Sequence, residues 1–138
     1  MIWRDVLVRR SLDAREIARG LAEAFEIAVD RVMVRPIEDE FPDPAGASVV
    51  CLVFERPGGF RTALSIYTYF ETTRLDAMSV LRRLSRWLGS EILTSDDDAN
   101  PYTLIQIAPD GETSKVNLDV FHLDEKDEFH VRPAAFDH

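Results

Sequence analysis

Every residue from Val49 to Phe54 is apolar, and the run ends at Arg56-Pro57-Gly58-Gly59, beyond which Phe60 to Tyr69 is rich in β-branched and aromatic residues. Six apolar residues are too few for a helix of ordinary length. Two such runs joined by a Pro-Gly-Gly turn read as a β-hairpin. A strand without polar alternation exposes neither face, so Ser48 to Glu55 is expected to be a central strand covered on both sides. The chain must therefore build a sheet around this hairpin and place something against each face.

The rest of the pattern supplies the other pieces. Ile2 to Val8 carries the residues of a first strand, with imperfect alternation around Arg4 and Asp5. Ser11 is the expected N-cap of a helix over Leu12 to Glu26. Asp13 and Glu16 suit the positive end of its dipole, and Ile17, Ala18, Leu21, Ala22 and Phe25 recur at helical spacing. A short strand follows at Arg31 to Arg35, stopped by Pro36. The segment Ile37 to Ala47, with two prolines and a glycine, reads as a long loop. Thr73 with Asp76 resembles a capping box before the stripe Ala77, Leu81, Leu84 and Leu88, giving a second helix over Arg74 to Leu88 with Gly89 as its C-terminal cap. Strands are then expected at Glu91 to Thr94 and Tyr102 to Ala108, with a turn at Ser95 to Pro101 between them. Pro109-Asp110-Gly111 reverses the chain into a strand whose Lys115, Asn117 and Asp119 alternate with Val116, Leu118 and Val120.

Strand, helix, three strands, helix, three strands is the order of an α+β fold: a mostly antiparallel sheet of about six to seven strands with two helices packed on one face. Helices are too few, and connections too short, for a doubly wound parallel sheet. With 138 residues and 46% hydrophobic content, a single domain spanning 1–138 is expected. Residues 124–138 are either a loosely packed tail or a turn leading to an edge strand at Phe129 to Arg132.

Several functions are disfavoured by what the sequence lacks. No apolar run approaches the ~20 residues of a membrane helix, and Met-Ile-Trp-Arg-Asp does not open a secretory signal, so a cytoplasmic protein is the expectation. Cys51 is the single cysteine and lies in the most apolar strand, where a thiol is inert packing. Asp96, Asp98 and Asn100 match the first three ligands of a calcium loop, but Pro101 and Ile107 stand where glycine and glutamate are required. His122, His130 and His138, with Asp119 and Asp124, fit no standard metal spacing. Neither metal nor other cofactor is expected. Gly58-Gly59 opens a strand, which excludes the helix-opening phosphate loops. Arg9, Arg10, Arg15, Arg19, Arg82, Arg83 and Arg86 could form a basic stripe, but neighbouring carboxylates and a pI near 4.7 argue against nucleic acid as a partner.

Charge is the feature left to explain. Asp96 to His138 holds 11 acidic and 3 basic residues, against 14 and 13 in Met1 to Ser95. The acidic residues form three clusters: Glu38, Asp39, Glu40 and Asp43 around Phe41; Asp96, Asp97 and Asp98; and Asp124, Glu125, Asp127 and Glu128. Clustered carboxylates speed encounter with a basic partner, and an aromatic residue among them is a natural anchor. The leading expectation is thus a non-enzymatic acidic protein-binding module, most concretely an immunity protein or antitoxin that neutralises a basic toxin, with these residues as its partner-binding set. Two alternatives stand beside it. One is a secretion chaperone or adaptor, a homodimer, using an apolar face of the second helix with Trp87 and Met78 outside the core. The other is a small enzyme using His122 with Asp96 to Asp98, Asn117 and the C-terminal carboxylates.

Overall fold

In a computed structural model the described residues are 2–37, 41–72, 74–95, 103–118 and 131–133. They form β1 (Ile2–Val8), α1 (Ala14–Phe25), a single 3-10 turn (Val29–Arg31), β2 (Val32–Pro36), β3 (Val49–Glu55), β4 (Thr62–Thr68), α2 (Ala77–Leu88), β5 (Ile92–Ser95), β6 (Thr103–Ile107), β7 (Thr113–Leu118) and β8 (Val131–Pro133). All eight strands join one sheet in the order β2-β3-β4-β1-β5-β6-β7-β8. Every neighbouring pair is antiparallel except β2 and β3. The α+β architecture expected from the sequence is therefore present, with the helices in the expected order.

Each helix begins later than its apolar pattern suggests. The cap of α1 is Asp13 and not Ser11: its carboxylate accepts from the Glu16 N–H at 2.8 Å, while the Glu16 carboxylate accepts from the Asp13 N–H at 3.3 Å. Leu12, expected inside the helix, precedes it as a buried residue. In α2 the cap is Asp76, which accepts from the Met78 N–H at 3.1 Å and from the Ser79 hydroxyl at 2.8 Å. Those hydrogen bonds, foremost the one from Ser79, lower the Asp76 pKa. Arg74 and Leu75 thus lie outside the helix, and Thr73 lies outside the described residues. Gly89 closes α2 in the left-handed conformation, as expected.

Both helices lie on one face of the sheet. Ile17, Leu21, Ala24 and Phe25 of α1 and Val80, Leu81, Leu84 and Leu88 of α2 pack with Val6, Val8, Val49, Cys51, Leu64, Ile66, Ile92 and Ile107. The helices approach closely at Gly20, where an added Cβ would lie 3.1 Å from a Leu84 methyl and 3.2 Å from one of Leu88. Arg83 Nε donates to the Ala24 carbonyl at 3.0 Å, tying α2 to the C-terminal turn of α1. Arg10 donates to both the Leu88 carbonyl and Glu16, joining the end of α2 to the start of α1. The opposite face carries its own cluster of Phe60, Leu93 and Val116, with Leu7 and Leu104 against it. Val49, Val50, Cys51 and Leu52 are all buried, so β3 is covered on both sides as its unbroken apolar run requires.

Candidate functional site

Sheet topology fixes where the acidic clusters enter and leave the framework. Take the lower end of the sheet as the end where β1 begins; β5, antiparallel to β1, finishes there at Ser95, and β6 starts there at Thr103. By the same pairings β7 finishes there at Leu118 and β8 starts there at Val131. The stretch containing Asp96, Asp97 and Asp98 and the stretch containing Asp124, Glu125, Asp127 and Glu128 are thus both bounded by strand ends at one end of four adjacent strands. These carboxylates, and His122 and Asp119 with them, lie outside the described residues, as do Glu38, Asp39 and Glu40. The third cluster begins elsewhere: Ile37 follows β2 at the upper end, with its N–H donating to the Val53 carbonyl at 2.9 Å.

Of the proposed partner-binding residues, Phe41 is the described one. Its ring meets Tyr67 of β4 edge-on at a centroid distance of 4.8 Å and remains 45% exposed. One side rests on the sheet while the other is open, a geometry compatible with an anchor that need not reorganise to be used. Asp43, next in the same loop, accepts from the Ala45 N–H at 3.0 Å and so holds a local turn.

The charge distribution across these parts is uneven. The described residues contain 13 of the 25 carboxylates and 15 of the 16 lysines and arginines; the other 12 carboxylates and Lys126 lie in the remaining stretches.

Three of the seven arginines of the possible stripe are committed to partners within the fold. Arg9 Nε pairs with Glu91 at 2.7 Å, and its guanidinium lies 4.6 Å from the Phe60 ring centroid. Arg10 pairs with Glu16 at 2.9 Å, and Arg83 is committed to the Ala24 carbonyl. The second helix offers little apolar face, because Met78 packs against the core while Trp87, 41% exposed, lies beside Gly20 of α1. Cys51 is fully buried, and burial pushes its thiol far above the usual range, which removes it as a nucleophile. Asn117 accepts from the Thr103 hydroxyl at 3.1 Å across the β6-β7 pair. Among the described residues no group of three or more His, Cys, Asp and Glu is arranged to hold a metal, and no helix is long and apolar enough to cross a membrane.

One feature had no signal in the sequence. Leu12 just before α1 with Ala14 and Ile17 inside it, Val34 to Pro36 of β2 with Ile37 after it, and Val53 to Glu55 of β3 enclose an open groove of about 480 Å³ at the upper end of the sheet. Its lining comes from three separate stretches and is mostly apolar, and it is of a size that can receive one or two side chains of a partner. Comparisons with protein-family models, with curated proteins and with solved structures find no match for this chain.

Proposed function

We propose that the chain is a non-enzymatic acidic protein-binding module, most concretely a cytoplasmic immunity protein or antitoxin that covers the basic surface of a toxin. The observation that carries this reading is the segregation of charge. Residues 96–138 hold 11 acidic and 3 basic residues, and the stretches that contain two of the three acidic clusters are bounded by strand ends at the same end of the sheet. A toxin acting on nucleic acid must present cations to phosphate, and carboxylates can occupy those cations in the substrate's place. Phe41, half open beside Tyr67, supplies an apolar contact of the kind that holds such an encounter once made.

The test uses the basic protein that copurifies with this chain from its native cell. Association should slow by roughly tenfold or more as ionic strength is raised from about 20 mM to about 500 mM. Replacing Asp96, Asp97 and Asp98 together by asparagine should slow it at low salt by a similar factor and leave the circular dichroism spectrum unchanged. A partner with no basic surface, or association indifferent both to salt and to the triple replacement, would show the reading to be wrong.

A further inference from the structure

Two exposed aromatic side chains lie on the face of the sheet opposite the helices, at its lower end. Leu64 and Ile66 of β4 enter the helix-side core, so by strand alternation Ser65 and Tyr67 point to the other face. Tyr69 follows at the next position of that face. Its N–H donates to the Ser48 carbonyl at 2.9 Å, which carries the β3-β4 ladder one pair beyond Thr68. Phe41 rests edge-on against Tyr67, and Phe41 and Tyr69 are 45% and 44% exposed. On the adjacent strand β1, Asp5 stands directly opposite Ser65 and accepts from its hydroxyl at 2.9 Å. Diagonal cross-strand neighbours such as Asp5 and Tyr67 are roughly 7–8 Å apart, so a carboxylate and an aromatic ring flank one patch.

The chemistry of this patch selects a cation. Asp5 is exposed, and no described cation pairs with its carboxylate. Glu38, Asp39 and Glu40 immediately precede Phe41, and no lysine or arginine occurs between Arg35 and Arg56. Chain connectivity, at about 3.8 Å per residue, therefore keeps negative charge close to the Phe41 ring. The same face shows what its other rings receive. Phe54, at the upper end, has the Arg56 guanidinium 5.3 Å from its centroid. Phe60 has that of Arg9 at 4.6 Å, and Arg9 pairs at the same time with the Glu91 carboxylate at 2.7 Å. Phe41, Tyr67 and Tyr69 have no described cation over them. A planar guanidinium stacks on a ring while its N–H groups face a carboxylate, whereas an ammonium is a compact, strongly hydrated charge that stacks less well. We infer that Phe41, Tyr67, Tyr69 and Asp5 form a receptor for an arginine side chain of a partner protein, repeating between two chains the arrangement that Phe60, Arg9 and Glu91 make within one.

The stretches outside the described residues carry 12 carboxylates and one lysine, Lys126, so they bring no excess of positive charge to compete for the patch. The inference rests on the acidic-module reading only in taking the bearer of the arginine to be the basic partner. It adds the chemistry of the contact: the Phe41 ring meets a cation, and Asp5, which belongs to none of the three acidic clusters, holds that cation in place.

NMR titration of the full chain with N-acetyl-arginine methylamide tests it. The ring resonances of Phe41 and Tyr69 should shift and saturate with a millimolar Kd. The neutral isostere N-acetyl-citrulline methylamide, and the lysine and leucine amides capped in the same way, should each bind at least about threefold more weakly. Asp5→Asn, which keeps an oxygen for the Ser65 hydroxyl, and Phe41→Ala, at an exposed position, should each weaken arginine binding by at least about threefold with the circular dichroism spectrum unchanged. No shift of these rings up to about 50 mM, citrulline, lysine or leucine binding as tightly as arginine, or binding indifferent to both replacements would overturn the inference. The titration needs no partner, so the two readings fail separately. Arginine bound at these rings, with a copurified partner that has no basic surface, would support the receptor and overturn the acidic module; a salt-sensitive basic partner with no arginine response at the rings would do the reverse.

Discussion

Gly20 shows how a residue that weakens a helix in isolation can be required by packing. In a helix interior alanine is preferred to glycine by about 1 kcal/mol, so Gly20→Ala gains that much in the isolated α1. Within the fold the added methyl meets Leu84 at 3.1 Å, Leu88 at 3.2 Å and Trp87 at 3.3 Å. Leu84 and Leu88 are almost fully buried and have nowhere to withdraw, while the half-exposed Trp87 can move. Overpacking of this kind costs about 1–3 kcal/mol. The net expectation is a loss of about 1 kcal/mol for Gly20→Ala and a larger one for Gly20→Val, read as a lower urea midpoint with unchanged slope. Nothing in the spacing of α1 announces this, since the identity of the facing residues depends on a helix some sixty positions away. The arginines teach the same lesson. Arg9, Arg10 and Arg83 share a sign, yet their partners, Glu91, Glu16 and the carbonyls of Leu88 and Ala24, are set by how the elements pack.

At the scale of elements, the two helices end in the same backbone conformation with different residues. Gly89 closes α2 at φ 62°, ψ 37°, and Glu26 closes α1 at φ 59°, ψ 47°. The left-handed region costs a residue with a Cβ about 1 kcal/mol and costs glycine nothing comparable. Glu26→Gly should therefore stabilise the fold, by about 0.5 kcal/mol once the freer unfolded chain is counted. Gly89→Ala should destabilise it by about 1 kcal/mol. Nothing lies within 4 Å of a Cβ at Gly89, so that loss is purely conformational. Thermal melts should show Tm moving in opposite directions for the two changes, by a few degrees at most. Element identity was legible because it rests on local pattern: the apolar run at Val49 to Phe54, the four-three-four stripe of α2, and Gly89. Helix starts were less so. Ser11 and Asp13 are both good caps by composition, and the choice between them falls to the reciprocal bond with Glu16 and the burial of Leu12. The parallel pairing of β2 with β3 was not legible, because the loop between them carries no mark of which edge of the hairpin the earlier strand will join.

At the scale of the whole molecule, sheet topology puts Phe41 at the end where β5 to β8 turn and the groove at the other. Tyr67, which Phe41 meets, pairs with Ile2 where β1 begins, and β5 and β7 finish at that same end. The acidic clusters were visible in the sequence as composition, but which strand ends bound them depends on strand order, which composition does not contain. The groove left no trace at all, since Leu12, Val34 and Phe54 are ordinary core-type residues until the topology brings them together. If Phe41 and the Asp96 to Asp98 stretch each touch a basic partner without touching one another, their free energies add. Phe41→Ala should then raise the dissociation rate by about tenfold and leave association at low salt within about twofold. Replacement of Asp96, Asp97 and Asp98 by asparagine should slow association and leave dissociation within about twofold. Measuring both rates in each variant and in their combination forms a closed cycle. A coupling of more than about 1 kcal/mol in it would mean that the two contacts meet the same part of the partner.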